Sequence, residues 1–155
     1  MNTQLLPVDF EIPTIAQSGF LKLRPLTIHD VIKDYDAVMT SCDHLWQRFG
    51  EAWGWPAADL TLEQDLIDLA WHQKEFQNKS SFAYCVLNLE ESQVLGCVYV
   101  YPPKSKRVDA DVWFWIRQSK LANNLENELH HFMLGWLAKS WPFNIVKLNN
   151  EIVKI

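Results

Sequence analysis

Between Phe82 and Trp141 the chain presents three β-rich runs in succession and then one amphipathic helix, and that order narrows the possible architectures more than any other feature. Phe82 to Leu89 and Val94 to Tyr101 are separated by Glu90-Glu-Ser-Gln93, a loop of hairpin length, so they are expected to pair antiparallel. Pro102-Pro-Lys-Ser-Lys-Arg107 makes the next turn and is the only basic cluster. It leads into Asp109-Ala-Asp-Val-Trp-Phe-Trp-Ile-Arg117, whose faces differ at a side-chain period of two. Ala110, Val112, Phe114 and Ile116 share one side; Asp109, Asp111, Trp113, Trp115 and Arg117 share the other, which reads as a surface facing a polar cavity. The following helix places Leu125, Leu129, Phe132, Met133, Trp136 and Leu137 on one face and ends at Trp141-Pro142.

Upstream, residues 1–19 carry Pro7 and Pro13, lack periodicity and read as an extended arm; residues 20–155 read as a single domain. Phe20 to Leu26 alternates as a strand, and Thr27-Ile-His-Asp30 has the spacing of a helix cap. The next helix is expected to bury Val31, Tyr35, Val38 and Cys42, with Ile32 and Met39 alongside, and to leave Lys33, Asp34 and Asp36 in solvent. Asp43 to Asp59, rich in Trp and Gly, shows no clean period and reads as a structured loop. Thr61-Leu-Glu-Gln64 opens a second helix to about Phe76, with Leu62, Leu66, Leu69, Ala70 and Gln73 inward. Asn144 to Leu148 is a last short strand.

The chain is 48% hydrophobic and 21% charged, with a formal charge of -5 and no long basic run, which removes the electrostatic footprint of a nucleic-acid or anionic-lipid partner. No run approaches a membrane span of about 20 apolar residues and the first ten residues do not read as a signal peptide, so a cytoplasmic location is expected. Cys42, Cys85 and Cys97 are read as core thiols, and no metal site is expected, because adjacent histidines such as His130-His131 point about 100° apart on a helix. The eight tryptophans either build the core or line a pocket or interface.

This order of strand, two helices, three strands in meander, helix and strand, together with Phe20-Leu-Lys-Leu-Arg-Pro-Leu-Thr-Ile-His-Asp30, resembles the GNAT acyltransferases over residues 20–148. The resemblance implies an α+β fold with a mixed, mostly antiparallel sheet flanked by helices. It also implies acetyl-CoA as acyl donor and a small-molecule or peptide amine as acceptor. By position, the backbone of Trp115, Ile116 and Arg117 would meet the pantetheine arm where two strands splay apart. The loop Gln118 to Asn124, with Lys120, Ala122, Asn123 and Asn124, stands where the family closes a glycine-rich turn on the pyrophosphate. No glycine occurs in it. With Asn123 as cap, Glu126 would satisfy the helix's own amides, and Glu126 and Glu128 would repel a pyrophosphate; Lys120, Arg117 and the Lys104 to Arg107 turn are the cations available to compensate.

For the chemistry, Asp111 stands four residues before Trp115 on one strand face, the place of the base in one family solution; otherwise Asp109 and Asp111 are strand-start acids in solvent. Tyr99 and Tyr101 are candidates for the acid that protonates the departing thiolate, and Trp113, Asp109 and His72 for the acceptor pocket. Only 13 residues follow Pro142, where the family usually continues with a helix and two more strands. The edge at Asn144 to Leu148 therefore calls for cover by the arm, by the tail or by a second copy in a homodimer. The rival reading is a non-catalytic module of the same fold that binds another ligand or a protein.

Overall fold

The computed structural model describes residues 5–155; the first four residues of the expected arm lie outside them. Seven strands form one sheet in sequence order: β1 (Ala16–Gln17), β2 (Lys22–Pro25), β3 (Phe82–Leu87), β4 (Val94–Tyr101), β5 (Ala110–Ile116), β6 (Ile145–Leu148) and β7 (Glu151–Lys154). Every neighbouring pair is antiparallel except β5 and β6, which run parallel because α4 (Leu125–Ser140) crosses over between them. The tail supplies β7, so the edge of β6 is covered by the chain's own residues through a hairpin whose two loop residues, Asn149 and Asn150, both have positive φ. A second copy is not needed at that edge. The arm is laid on the sheet: β1 pairs with β2, Leu6 is buried, and Tyr84 donates its hydroxyl to the Pro13 carbonyl at 2.5 Å.

Both faces of the sheet are packed. Tyr84, Val98, Phe114 and Ile116 meet α4 through Leu129, Met133 and Trp136, with Trp141 behind them. Cys85, Cys97, Tyr99 and Trp115 meet the helices of the other face through Val38, Leu45, Phe49 and Leu69. The tryptophans divide accordingly: Trp136 and Trp141 are core, Trp53, Trp55 and Trp113 pack around the second cluster, and Trp46 and Trp71 are half exposed.

Three expectations about the helices on that second face are corrected. The Trp- and Gly-rich stretch is a helix, α2 (Cys42–Trp53), not a loop: Leu45, Phe49 and Trp53 recur every four residues on its inner side, and Gly54 stops it at φ 59°. In α1 (Val31–Met39) Asp34 is buried with Ala37 and Val38, while Ile32 is exposed. In α3 (Leu62–Gln77) the inner residues are Asp65 and Leu69, while Leu62, Leu66 and Ala70 are exposed. The cause is common to both helices. Each buries a carboxylate beside apolar residues that do face the core, Val31, Tyr35, Val38 and Met39 in α1 and Leu69 in α3, which aligning apolar residues alone does not anticipate.

Candidate functional site

β5 and β6 pair only from Ala110↔Val146 to Val112↔Leu148 and then separate. Beyond that point Arg117 donates its N–H to the Leu95 carbonyl at 2.7 Å, so by the alternation of an antiparallel pair residues 113, 115 and 117 turn their backbone groups to β4. The groups released into the fork are those of Phe114 and, by the same alternation, Ile116. Of the three residues expected there, the backbones of Trp115 and Arg117 are thus committed to β4, and Phe114 takes the role. Gly96 permits the close approach of β4 to β5 here, since a Cβ on it would lie 1.8 Å from the Trp115 carbonyl oxygen.

The fork is filled by two side chains from other elements. Asn149 accepts the Phe114 N–H through Oδ1 at 2.9 Å, and Arg48 of α2 donates to the Phe114 carbonyl at 3.1 Å. Arg48 also pairs with Glu126 in the first turn of α4. The expected cap at Asn123 is not made. Asn124 is the capping residue, at φ 60°, and its side-chain oxygen is taken by the Asn127 amide, so no side chain caps the first-turn amides of α4. Glu126 answers Arg48 instead of those amides because Arg48 rises from α2 directly opposite. Asn124 does supply the left-handed residue that the glycine-free turn requires.

Around the fork lie two cavities that share Arg48 and Asn149. One, of about 290 Å3, opens beside the start of α4 and is lined by Phe114, Glu126, Asn127 and His130. The other, of about 470 Å3, lies toward the start of β5 and is lined by Asp111, Trp113, Lys104, Glu51 and Lys147. Asp111 is buried; it accepts the Lys104 N–H at 3.0 Å through Oδ2, and its Oδ1 has no partner. Asp111 lines that cavity and keeps one carboxylate oxygen without a partner, which makes it the candidate to take a proton from something bound there.

The remaining sequence candidates are distributed elsewhere. Asp109 is a structural clamp, accepting the N–H groups of Asn144 and Ile145 at 2.7 and 3.0 Å. Arg117 is buried and spent on Asp36, Thr40, Ser119 and the Val94 carbonyl, so its guanidinium is not free for a phosphate. Lys104 sits at the far end of β5 from α4, leaving Lys120, on the turn Gln118–Asn123, and Arg48 as the cations near the helix start. Gln118 is tied by its N–H to Ser41 at 2.9 Å, while Ala122 and Asn123 are exposed on the same turn. Tyr99, Tyr101 and His72 line a third cavity against Trp53, and Tyr101 stands directly opposite Asp111 in the register of β4 and β5. Burial raises the pKa of both tyrosines and lowers that of His72, so all three are neutral at pH 7, and the Tyr99 hydroxyl accepts the Trp115 indole N–H at 3.0 Å. Asp111 lines the neighbouring cavity with Trp113, the cross-strand partner of Tyr99. Among the described residues no cluster of three side chains is arranged to hold a metal ion.

The residues present fit part of an acyl-CoA. Backbone groups at the fork suit the amides of a pantetheine arm, and an uncapped helix start suits a pyrophosphate; Glu126 opposes it. Sequence reasoning missed Arg48, Asn149 and Gly96. Two had a signal: a glycine inside a strand pattern marks close backbone approach, and Asn-Asn between two β-rich runs marks a tight hairpin. Arg48 had none.

No family model matches the sequence, and no curated protein matches it. Solved structures do match. The ribosomal-protein-S5-alanine acetyltransferase from Vibrio fischeri superposes with a TM-score of 0.68 at 12% identity, over 88% of this chain and 73% of its own. The ribosomal L7/L12 alpha-N-protein acetyltransferase RimL in complex with coenzyme A gives 0.64 at 14% identity, over 86% and 73%. An acetyl transferase from Salmonella typhimurium that modifies the N-terminal serine of ribosomal subunit protein L7/L12 gives 0.61 at 12% identity, over 84% and 71%. Likeness at such identities establishes the fold: the α+β arrangement, with its mixed seven-stranded sheet, is the GNAT fold.

Proposed function

We propose that this GNAT-fold protein transfers an acyl group, acetyl in the first instance, from coenzyme A to an amine of a small molecule or peptide. One observation carries the reading. The sheet divides between β5 and β6 and turns the backbone N–H and C=O of Phe114 into the gap, beside a helix start whose amides no side chain caps. The pantetheine arm would run along β5, displacing Asn149 and Arg48 from Phe114, with the pyrophosphate at the start of α4 near Lys120.

In the reaction the neutral amine nitrogen attacks the thioester carbonyl carbon, the C–S bond breaks, and coenzyme A leaves as the thiolate. One amine proton passes to Asp111, directly or through water, from the cavity that adjoins the fork. Solvent reprotonates the thiolate, with Tyr99 and Tyr101 lining the neighbouring cavity.

The test is calorimetric titration with acetyl-CoA beside desulfo-CoA and adenosine bisphosphate, followed by an amine screen for released thiol. Micromolar binding that needs the pantetheine arm is the expected result. No heat and no thermal stabilisation at millimolar ligand would overturn the proposal and leave a binding module of the same fold.

A further inference from the structure

The cavity lined by Tyr99 and Tyr101 has its own chemistry. It encloses about 310 Å3 between β4, α3 and the end of α2, and its walls are aromatic: Trp53, Trp55, Trp71, Tyr99, Tyr101 and the His72 ring. Its charged lining is wholly acidic, from Asp34, Asp65 and Asp68, with no lysine or arginine. Asp34 and Asp65 are 3% and 2% exposed, yet among the described residues no cation pairs with them. Asp34 accepts the Cys97 thiol at 3.6 Å, and Asp65 Oδ2 has no partner.

The contrast with Asp30 shows what this chain does with a buried acid that is only structural. Asp30 takes two hydrogen bonds from Arg24, at 3.0 and 2.7 Å, and one from the Thr27 N–H at 2.9 Å. A buried carboxyl pair without such a clamp is unfavourable unless something else neutralises it. Here the missing partner would sit in a cavity walled by ring faces, which attract cations, and floored by carboxylates, which accept N–H bonds. The absence of a three-ligand metal cluster among the described residues favours an organic cation over a metal ion.

We propose that this cavity binds a primary ammonium ion carried on a small aryl or alkyl body, with Asp34 and Asp65 accepting its N–H groups and the Trp53, Tyr99 and Tyr101 rings enclosing it. The site shares no lining residue with the two cavities at the fork. It does not depend on acyl transfer.

The test uses the full chain without acyl-CoA and reads tryptophan fluorescence and calorimetry with benzylammonium, against benzyl alcohol as the uncharged counterpart. Benzylammonium is expected to bind at least tenfold more tightly than the alcohol, and Asp65→Asn to lose at least tenfold of that affinity while melting no lower than the parent. Equal affinity for ion and alcohol, no binding of either up to about 10 mM, or full binding by the variant would overturn the assignment. Should the variant fail to fold, the ion-against-alcohol comparison on the unaltered protein still decides. Acetyl-CoA calorimetry reports on the fork alone, so failure of either site is distinguishable from failure of the other.

Discussion

Replacing Glu126 by Gln should move ligand affinity and stability in opposite directions. In the free protein Glu126 lies in the first turn of α4 with its side chain 30% exposed, paired to Arg48, whose side chain is 26% exposed. A first-turn acid gains about 0.3–1 kcal/mol from the helix dipole, and a part-exposed ion pair about 0.2–1 kcal/mol. Glutamine keeps the shape and a neutral acceptor for Arg48 but loses both contributions, a cost of roughly 0.5–2 kcal/mol. At about 2–4 °C per kcal/mol for a chain of this size, Tm should fall by roughly 1–8 °C. For a pyrophosphate at the same helix start the sign reverses. The positive end of the dipole is no longer neutralised and the Arg48 guanidinium is released toward the ligand, so acetyl-CoA should bind about 2- to 30-fold more tightly. Calorimetric titration at low and high ionic strength, with thermal melts on the same samples, reads both effects. The gain in affinity should shrink with added salt, since it is electrostatic and partly exposed. Unchanged or weaker binding would refute the placement of the pyrophosphate beside Glu126, and a gain indifferent to salt would refute the electrostatic account of it.

Asp111→Asn keeps an acceptor for the Lys104 N–H but removes the base; turnover should fall about 10²–10⁴-fold with acetyl-CoA affinity unchanged. A matched loss in both, or no loss, would take Asp111 out of the base role. Gly96→Ala sets a Cβ 1.8 Å from the Trp115 carbonyl oxygen, so a strand must move. The expected cost is about 3 kcal/mol, a fall in Tm of about 6–12 °C, and an unshifted melt would contradict the close approach. Asp34 and Asp65 are both raised by burial; the charge of Asp65 adds to the first and that of Asp68 to the second, against a hydrogen bond from Asp34. Unfolded carboxyls titrate near 3.9, so the pair's contribution is fully present below about pH 3.9 and is lost as pH rises through the raised folded values. Asp65→Asn should therefore melt higher than the parent at pH 7, with the difference closing toward pH 4. Cys97 and Tyr99, facing the pair from β4, stay neutral there, and His72 titrates in both proteins, so a difference independent of pH would exclude this origin.

Strand order and the last long helix were legible from local pattern: continuous β-rich apolar runs for Phe82 to Leu87 and Val94 to Tyr101, two unlike faces for Ala110 to Ile116, and a period of 3.6 for Leu125, Leu129, Met133 and Trp136. The helix Cys42–Trp53 escaped because its aromatic and glycine density hid the Leu45, Phe49, Trp53 spacing, although Gly54 stood as a stop signal. The inner faces of α1 and α3 were misread for a different reason. Periodicity assigns apolar residues to the interior, and here two aspartates face inward around a cavity while Ile32, Leu62 and Leu66 face out. At the candidate site, Asp111 could be read from its strand face. Arg48 and Asn149, 101 residues apart in sequence, acquire meaning only once β5 and β6 separate and Phe114 needs partners. Tyr101 and Asp111 stand opposite each other across β4 and β5, a pairing that no single strand's pattern records.

That the fork is filled by the chain's own side chains follows from the physics of a free state and does not count against a ligand. Phe114 is 3% exposed, and a buried backbone N–H or C=O left without a partner costs about 1–3 kcal/mol. A strand that splits from its neighbour must satisfy such groups whenever the ligand is away. Asn149 and Arg48 do so with side chains, which can withdraw without unpairing β5 from β4 or β6 from β7. Exchanging them for the amides of a pantetheine arm replaces one hydrogen bond by another, so the net cost is the released Arg48–Glu126 pair, about 0.2–1 kcal/mol or less than one decade of affinity. Had the same groups been closed by a continuous parallel ladder, as at Ala110 to Val112, opening them would have cost several buried hydrogen bonds at once. The distinction between a fork held by two side chains and a zipped sheet is therefore what keeps the acyl-CoA reading physically accessible to this chain in spite of its glycine-free turn.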